Sequence, residues 1–135
     1  MARKPISESE SEKITINLGC IDLGRVDLLV KEGFYSNRSD FIRTAIRTQL
    51  ASHEQAIQQA VARHTYVLGL QEFTRAQLEA TRKKGEKLRI QVLGLARIAP
   101  DVSAELALAT IDSVRVLGTL QASDAIRRAL GDRIK

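Results

Sequence analysis

The chain has 135 residues, of which 44% are hydrophobic and 27% are charged, a composition typical of one or two small globular domains. Its net charge of +5 weakly favours a polyanionic partner. The single cysteine, Cys20, excludes a disulfide within the chain, and no run approaches the about 20 apolar residues of a membrane helix. We therefore expect a cytoplasmic protein that has no membrane partner.

Residues 1–12 are polar and low in complexity, which predicts a mobile arm. Apolar and polar residues then alternate over residues 13–18, the pattern of a half-buried strand. The apolar face comprises Ile14, Ile16 and Leu18, and the polar face comprises Lys13, Thr15 and Asn17. Because a lone strand cannot cover its own backbone or apolar face, the pattern predicts pairing with a second copy. Two such strands form an antiparallel ribbon, which fits the major groove of B-DNA.

Two amphipathic helices are predicted to follow the strand. Asp22 is expected to cap the first, whose apolar residues recur every three or four positions, and Gly33 is expected to end it. Asn37 is expected to cap the second, with Asp40 placed to reach back to the helix start.

The second helix carries an apolar stripe that includes Phe41, Ile42 and Ile46. With the apolar face of the strand, these three residues form the predicted dimer core. The stripe could continue to about residue 63 in one long helix, but Ser52 is a rival start signal, so we prefer a break there. Residues 52–64 then form a connecting helix between a first domain, 13–51, and a second, 65–135.

The second domain contains a threefold repeat. Val-Leu-Gly recurs at Val67, Val92 and Val116, each time within a predicted strand that is followed by a predicted helix. Such units predict parallel strands with right-handed crossovers, arranged as a small α/β layer or a short solenoid. The chain as a whole is therefore predicted to be an α+β protein.

Start and stop signals flank the three helices of the repeat. Thr74 with Gln77, the Pro100-Asp101 pair and the Ser123-Asp124 pair are the expected starts. Gly85 and Gly131 are the expected stops.

Residues 13–50 resemble the ribbon-helix-helix domain of the Arc, MetJ and CopG repressors. The resemblance lies in the strand of residues 13–18, the turn of residues 33–39 and the segment Phe41-Ile42-Arg43-x-Ala45-Ile46. It implies an intertwined dimer that binds double-stranded DNA through a two-stranded ribbon. The junction Gly19-Cys20-Ile21-Asp22 departs from the family pattern, since many relatives place a proline and acidic residues there.

The outward residues of such a ribbon suit base recognition. Lys13 can donate to guanine, Asn17 can pair with adenine, and Thr15 offers a hydroxyl and a methyl group to thymine. Phosphate contacts are expected from the start of the second helix, at Ser36, Asn37, Arg38 and Ser39.

The sequence favours no other chemistry. His53 and His64 lie eleven residues apart, too far along one helix to share a metal ion, so no metal site is expected. No catalytic cluster and no glycine-rich phosphate loop occurs, so we expect neither an enzyme nor a cofactor.

These patterns favour a bacterial-type transcriptional regulator, most simply a repressor, which associates with the nucleoid when bound to DNA. Residues 65–135 are then predicted to join dimers into a higher homo-oligomer. Two alternatives remain open from the sequence. One is an antitoxin whose second domain binds an unknown protein partner, and the other is a filament-forming protein that tethers DNA during partition.

Overall fold

The computed structural model describes residues 10–135, so the predicted arm lies almost entirely outside the described residues. Two compact units make up the chain, and the boundary between them falls within a helix. We call Ser11–Ala60 the N-terminal unit and Val61–Lys135 the C-terminal unit, with which Glu10 is also grouped. The fold is α+β, with helices throughout and one three-stranded sheet.

The N-terminal unit consists of an extended segment followed by helices. Residues 11–19 form neither helix nor strand in the single chain. They lead into α1 (Cys20–Lys31), α2 (Arg38–Ser52) and α3 (Glu54–His64), the last of which runs into the C-terminal unit. The predicted break at Ser52 is confirmed, and the Ser52 hydroxyl donates to the Gln49 carbonyl 2.6 Å away.

The ends of α1 differ in how well the sequence predicted them. The helix begins three residues earlier than expected, with Gly19 at the cap position, so the prediction that Asp22 is the cap is wrong. Asp22 lies instead in the first turn, where a carboxylate is stabilised by the positive end of the helix dipole. The prediction for Gly33 is confirmed. It has φ +87°, and the Phe34 amide donates back to the Leu29 carbonyl, which closes the helix end.

The start of α2 agrees with the sequence-based prediction. The Asn37 side chain accepts a hydrogen bond of 2.8 Å from the Asp40 amide. The Asp40 carboxylate in turn accepts from the Ser36 amide at 2.9 Å. These reciprocal bonds satisfy two backbone donors, which fixes where the helix starts.

The C-terminal unit alternates parallel strands with short helices. Its elements are β1 (Val67–Phe73), α4 (Arg75–Lys83), β2 (Leu88–Ile98), α5 (Ala104–Thr110), β3 (Ile111–Gln121) and α6 (Asp124–Leu130), followed by a 3-10 turn at Gly131–Arg133. The sheet order is β1-β2-β3, so each strand pairs with the next one along the chain. The threefold repeat predicted from the sequence is thereby confirmed.

One face of the sheet carries the core. Ile90, Val92 and Val114 alternate with exposed or half-buried polar residues and pack against the helices. Each repeat helix contributes to the same cluster, which includes Leu78 of α4, Leu106 and Ala107 of α5, and Ile126 and Leu130 of α6. All three helices therefore cover the same face of the sheet.

Three glycines stack across the sheet in register. Gly69 pairs with Gly94, which pairs with Gly118, and their φ angles are +121°, +135° and +118°. A Cβ on Gly94 would overlap the Gly69 carbonyl oxygen, and one on Gly118 would overlap the Gly94 carbonyl oxygen. Glycine is thus needed twice over, because the backbone is in a region that side chains disfavour and a carbonyl occupies the space of a Cβ.

The helix starts in this unit were predicted with one error. Thr74 and Gln77 form a complete capping box, and Ser123 caps α6. Pro100-Asp101 does not open α5, which is capped by Ser103. The pair instead occupies the centre of a turn that the Val102 amide closes on the Ala99 carbonyl at 3.1 Å, a common position for proline. Gly85 and Gly131 follow the ends of α4 and α6 as expected.

Substituting the glycine column should separate backbone strain from steric overlap. Gly69→Ala meets only an unfavourable φ, because no atom lies within 4 Å of the added Cβ, and should cost about 1–3 kcal/mol of unfolding free energy. Gly94→Ala adds the overlap with a carbonyl and should cost about 4 kcal/mol or more. Denaturant unfolding of the C-terminal unit measures both. Equal losses of stability in the two variants would show that the overlap is relieved without cost.

Candidate nucleic-acid interface

An apolar concavity of about 480 Å³ lies in the N-terminal unit between α1 and α2. Its lining includes Ile16, Leu18, Val26, Phe41, Ile42 and Ile46. The extended segment, α1 and α2 all contribute, so the concavity gathers the apolar residues that the sequence assigned to a dimer core. Ile14, the remaining member of that set, is 73% exposed.

The single N-terminal unit does not close a core of its own. Within it, Val26 is the one buried side chain. Ile16, Leu18 and Ile46 remain 56%, 41% and 46% exposed although they line or border the concavity. Leaving this much apolar surface in water is unfavourable, so covering it with the apolar surface of another molecule would stabilise the unit.

The polar residues of the extended segment lie apart from the concavity. Lys13, Thr15 and Asn17 are exposed and are absent from its lining. Two of the three apolar residues of the alternation, Ile16 and Leu18, therefore line the concavity, while the polar residues between them are exposed. Residues 13–18 are not paired as a strand in the single chain, so the ribbon itself stays a prediction.

The first turn of α2 offers two backbone donors. The amides of Arg38 and Ser39 precede the first intrahelical bond, which runs from the Phe41 amide to the Asn37 carbonyl at 3.2 Å. Such amides at a helix start bind anions well because the helix dipole adds to their attraction. All four residues predicted to contact phosphate, 36–39, lie at this helix start, and the side chain of one of them, Asn37, already accepts a hydrogen bond from the Asp40 amide.

Arg38 is held by a partner that sequence reasoning missed. Its Nε and Nη2 atoms donate to the two carboxylate oxygens of Asp27 at 2.7 and 2.8 Å, a bidentate pair between α2 and α1. The hydrogen bond from Arg38 lowers the pKa of Asp27, and the same bond raises the pKa of Arg38. Three of the five guanidinium N–H donors remain outside this pair, including both on Nη1. Arg38 can therefore hold Asp27 and contact a phosphate at once.

An aromatic pair packs the turn before α2 against the helix. The rings of Tyr35 and Phe41 are 5.0 Å apart between centroids and meet edge to face at 87°. This is a favourable geometry for two aromatic side chains. The pair helps to fix the turn that presents the α2 amides.

The net positive charge of the chain is not located in the N-terminal unit. Residues 11–60 contain six basic and six acidic side chains, which leaves this unit neutral, whereas residues 61–135 contain thirteen basic and eight acidic ones. The full excess of +5 therefore lies in the C-terminal unit. Attraction of the N-terminal unit to a polyanion depends on where its charges are placed and not on their sum.

Two other kinds of site have no candidate in residues 10–135. These residues contain no group of three His, Cys, Asp or Glu side chains placed to hold a metal ion. None of their helices combines the length and the apolarity needed to cross a bilayer.

Comparison with known families settles the class of protein. Residues 9–127 match the model of the ribbon-helix-helix transcriptional regulator family. The chain belongs to this family. No curated protein and no solved structure matches it.

The match to the family model extends well past residues 13–50, where the sequence shows its resemblance, and includes most of the C-terminal unit. Membership makes the protein a DNA-binding type of transcriptional regulator, a class that is not enzymatic, and such regulators typically act as dimers.

The missed residue, Asp27, had no detectable sequence signal. It lies eleven positions before Arg38, a spacing that belongs to neither helix nor strand periodicity. In the sequence, Asp27 looks like any exposed carboxylate on α1. Only the packing of α1 against α2 places it beside the Arg38 guanidinium.

The ion pair predicts a titration shift that can be measured. Arg38→Ala removes the bond that lowers the pKa of Asp27, so this pKa should rise toward the ordinary value of an aspartate. Arg43→Ala, five residues further along the same helix, should leave the pKa of Asp27 unchanged. NMR titration of the Asp27 carboxyl group checks both. Because the pKa is lowered on folding, the pair stabilises the protein above about pH 4, and this contribution is lost as the pH falls through the lowered value. An Asp27 pKa that is insensitive to Arg38→Ala would refute the assigned cause.

Proposed function

We propose that the protein is a dimeric repressor that recognises a specific DNA sequence by inserting a two-stranded β-ribbon into the major groove. The observation that carries this proposal is the open apolar concavity of the N-terminal unit, bordered by Ile16 and Leu18 of the extended segment. A second copy brings the same residues and covers that surface, and the two extended segments then lie side by side as a ribbon.

Dimerisation and recognition are linked by the alternation in residues 13–18. When the apolar side chains turn toward the helices, Lys13, Thr15 and Asn17 of each copy point away from the protein. A two-stranded ribbon fits the width of the major groove, where each base pair presents a distinct set of donors and acceptors. Six side chains, three from each copy, then read base edges, and each good pairing contributes about 1–3 kcal/mol of discrimination.

Backbone contacts at the start of α2 fix the ribbon in the groove. The amides of Arg38 and Ser39 and the hydroxyls of Ser36 and Ser39 are donors that suit a phosphate, and the Nη1 group of Arg38 adds a charge-assisted one. Contacts of this kind set the orientation of the protein and carry no sequence information themselves. Because the N-terminal unit has no net charge, these few local contacts supply most of its attraction to DNA.

The C-terminal unit is proposed to join dimers on adjacent sites. Six base-reading side chains specify only a short site, so binding two sites together raises the effective affinity without any new contact to DNA. The unit has its own core and regular repeats, which suits a rigid assembly module better than the tail of an antitoxin that folds on binding. Bound across a promoter in the cytoplasm, such an assembly would repress by excluding the transcription machinery.

Dimer formation can be tested with two substitutions in one helix. Ile46 and Thr48 are both exposed on α2, but only Ile46 lines the concavity. Ile46→Lys places a charge in the proposed interface, where burial without a partner is costly, so it should abolish dimers and DNA binding. Thr48→Lys should retain both. Sedimentation analysis with a DNA-binding assay measures them, and a dimeric Ile46→Lys protein would refute the interface.

Base reading predicts a loss of specificity. Asn17→Ala removes a bidentate base contact from each copy, so it should reduce discrimination at the matched base pair by about 1–3 kcal/mol. Affinity for unrelated DNA should change little, because phosphate contacts dominate it. Binding to a panel of single-base variants of the operator measures this. If the variant protein discriminates as the wild type does, Asn17 is not a base reader.

Phosphate binding by Arg38 can be distinguished from its structural tie to Asp27. Arg38→Ala should weaken binding to all sequences alike and reduce the slope of the salt dependence by about 0.9 for each phosphate that the arginine neutralises. Asp27→Ala breaks the same ion pair but keeps the guanidinium, so it should retain the wild-type salt dependence. Titration at several salt concentrations measures both. If Asp27→Ala reproduces the effect of Arg38→Ala, the arginine acts through the ion pair alone.

A further inference from the structure

The two edges of the three-stranded sheet differ in how they are covered. At one end of β3 the Lys135 amide donates to the Val114 carbonyl at 2.8 Å, and Ile134 forms a parallel bridge with Val114. At the other end the Arg127 guanidinium donates to the carbonyls of Leu120 and Ala122. The outer side of β3 is therefore occupied near both of its ends, as expected for an edge protected against pairing with another chain.

Among residues 10–135, no bridge or hydrogen bond like those at β3 covers the β1 edge, although Glu10 borders a concavity with Gly69 and Leu70. Within these residues, the one strand neighbour of β1 is β2. Three of its side chains are large, apolar and exposed, namely Val67 at 47%, Leu68 at 64% and Leu70 at 49%. Glu72 is the one charged residue in the strand, and no proline interrupts it. An apolar edge strand of this kind is a template for pairing with a further strand.

The backbone of β1 is oriented for such pairing. The Gly69 carbonyl points toward Gly94 of β2, as the overlap with an added Cβ shows. Alternate residues of a strand direct their N–H and C=O groups to opposite sides. Those of Leu68 and Leu70 therefore point outward, away from the sheet. The exposed leucine side chains and the outward backbone groups belong to the same two residues.

The strand that best matches this edge is β1 of a second copy. Antiparallel pairing of two such strands about Gly69 sets Leu68 opposite Leu70 of the other strand, which forms two apolar cross-strand pairs. It also separates the two Glu72 carboxylates to opposite ends of the junction, whereas parallel pairing would place them side by side. Continuation onto β3 of another copy is disfavoured, because Arg127 and the C-terminal residues already occupy that edge.

We infer that β1 pairs antiparallel with β1 of a second copy, so that two ribbon dimers are joined through a continuous six-stranded sheet. This inference rests on the proposed role of the C-terminal unit in assembly and names the surface that performs it. A junction that relates identical edges is self-limiting, because each β1 edge is used once. The product is either a closed assembly or a chain of dimers in which ribbon interfaces alternate with β1–β1 junctions. In both cases each sheet stops at six strands.

Two substitutions in one row of the sheet test the edge. Leu68 and Leu117 are exposed at 64% and 52% and align with the same residue of β2, Leu93, but they lie on opposite edge strands. Leu68→Lys should reduce the full-length protein to dimers, because lysine at an edge opposes pairing. Leu117→Lys should leave the larger assembly intact. Leu70→Pro removes an outward N–H and should act as Leu68→Lys does.

Sedimentation velocity on the full-length proteins decides between the outcomes. Loss of the larger assembly in both Leu68→Lys and Leu117→Lys would show that the leucine-bearing face, not the β1 edge, forms the junction, and would overturn the inference. So would persistence of the assembly in Leu68→Lys and Leu70→Pro, although the assembly role would then stand. A wild-type protein that never exceeds a dimer would refute both the β1 pairing and the proposed assembly role of the C-terminal unit. Binding to DNA with a single site, measured in parallel, reports on the ribbon independently of every one of these results.

Discussion

The apolar surface that the N-terminal unit cannot cover is the constraint on which the rest of the protein depends. Val26 alone is buried there, while the isoleucines and leucine of the extended segment stay in water. A unit of some fifty residues with so little burial cannot offset the conformational entropy that folding removes. In the proposed dimer, the association of two copies supplies the missing burial, so folding, dimerisation and presentation of the ribbon become one process.

That constraint also positions the residues that we propose to read DNA. Lys13, Thr15 and Asn17 have no covering structure of their own and are oriented by the apolar neighbours between them. A shift by one residue would bury the polar row and expose the apolar row, which is strongly unfavourable. In the proposed ribbon, the register, and with it the specificity for DNA, is therefore set by hydrophobic burial rather than by the polar residues themselves.

The C-terminal unit differs from the N-terminal unit because it has its own core. Its sheet, however, has two edge strands whose outer backbone groups could pair with another chain. Each repeat lays its glycine against the carbonyl of the preceding one, which locks the register of neighbouring strands. Repetition alone would leave two open edges. The chain covers the β3 edge with Arg127 and its last two residues, whereas nothing in residues 10–135 comparably blocks β1. In the proposed assembly, this asymmetry leaves one defined junction between sheets and prevents the sheet itself from extending indefinitely.

Local patterns in the sequence determined the secondary structure and the repeat. The Asn37 cap, the Thr74–Gln77 box, the break at Ser52 and the Val-Leu-Gly register all depend on residues a few positions apart or on exact recurrence, and the structure confirms them. The errors at Asp22 and at Pro100-Asp101 concern helix starts, where several nearby residues can cap and packing decides among them.

Only the tertiary structure revealed the Asp27–Arg38 pair, the choice of the helix-covered face and the covering of one sheet edge by Arg127 and the C-terminal residues. These interactions join groups whose separation along the chain follows no period, so composition and spacing carry no trace of them. They arise when elements pack, because packing brings together side chains and carbonyls that lie far apart along the chain.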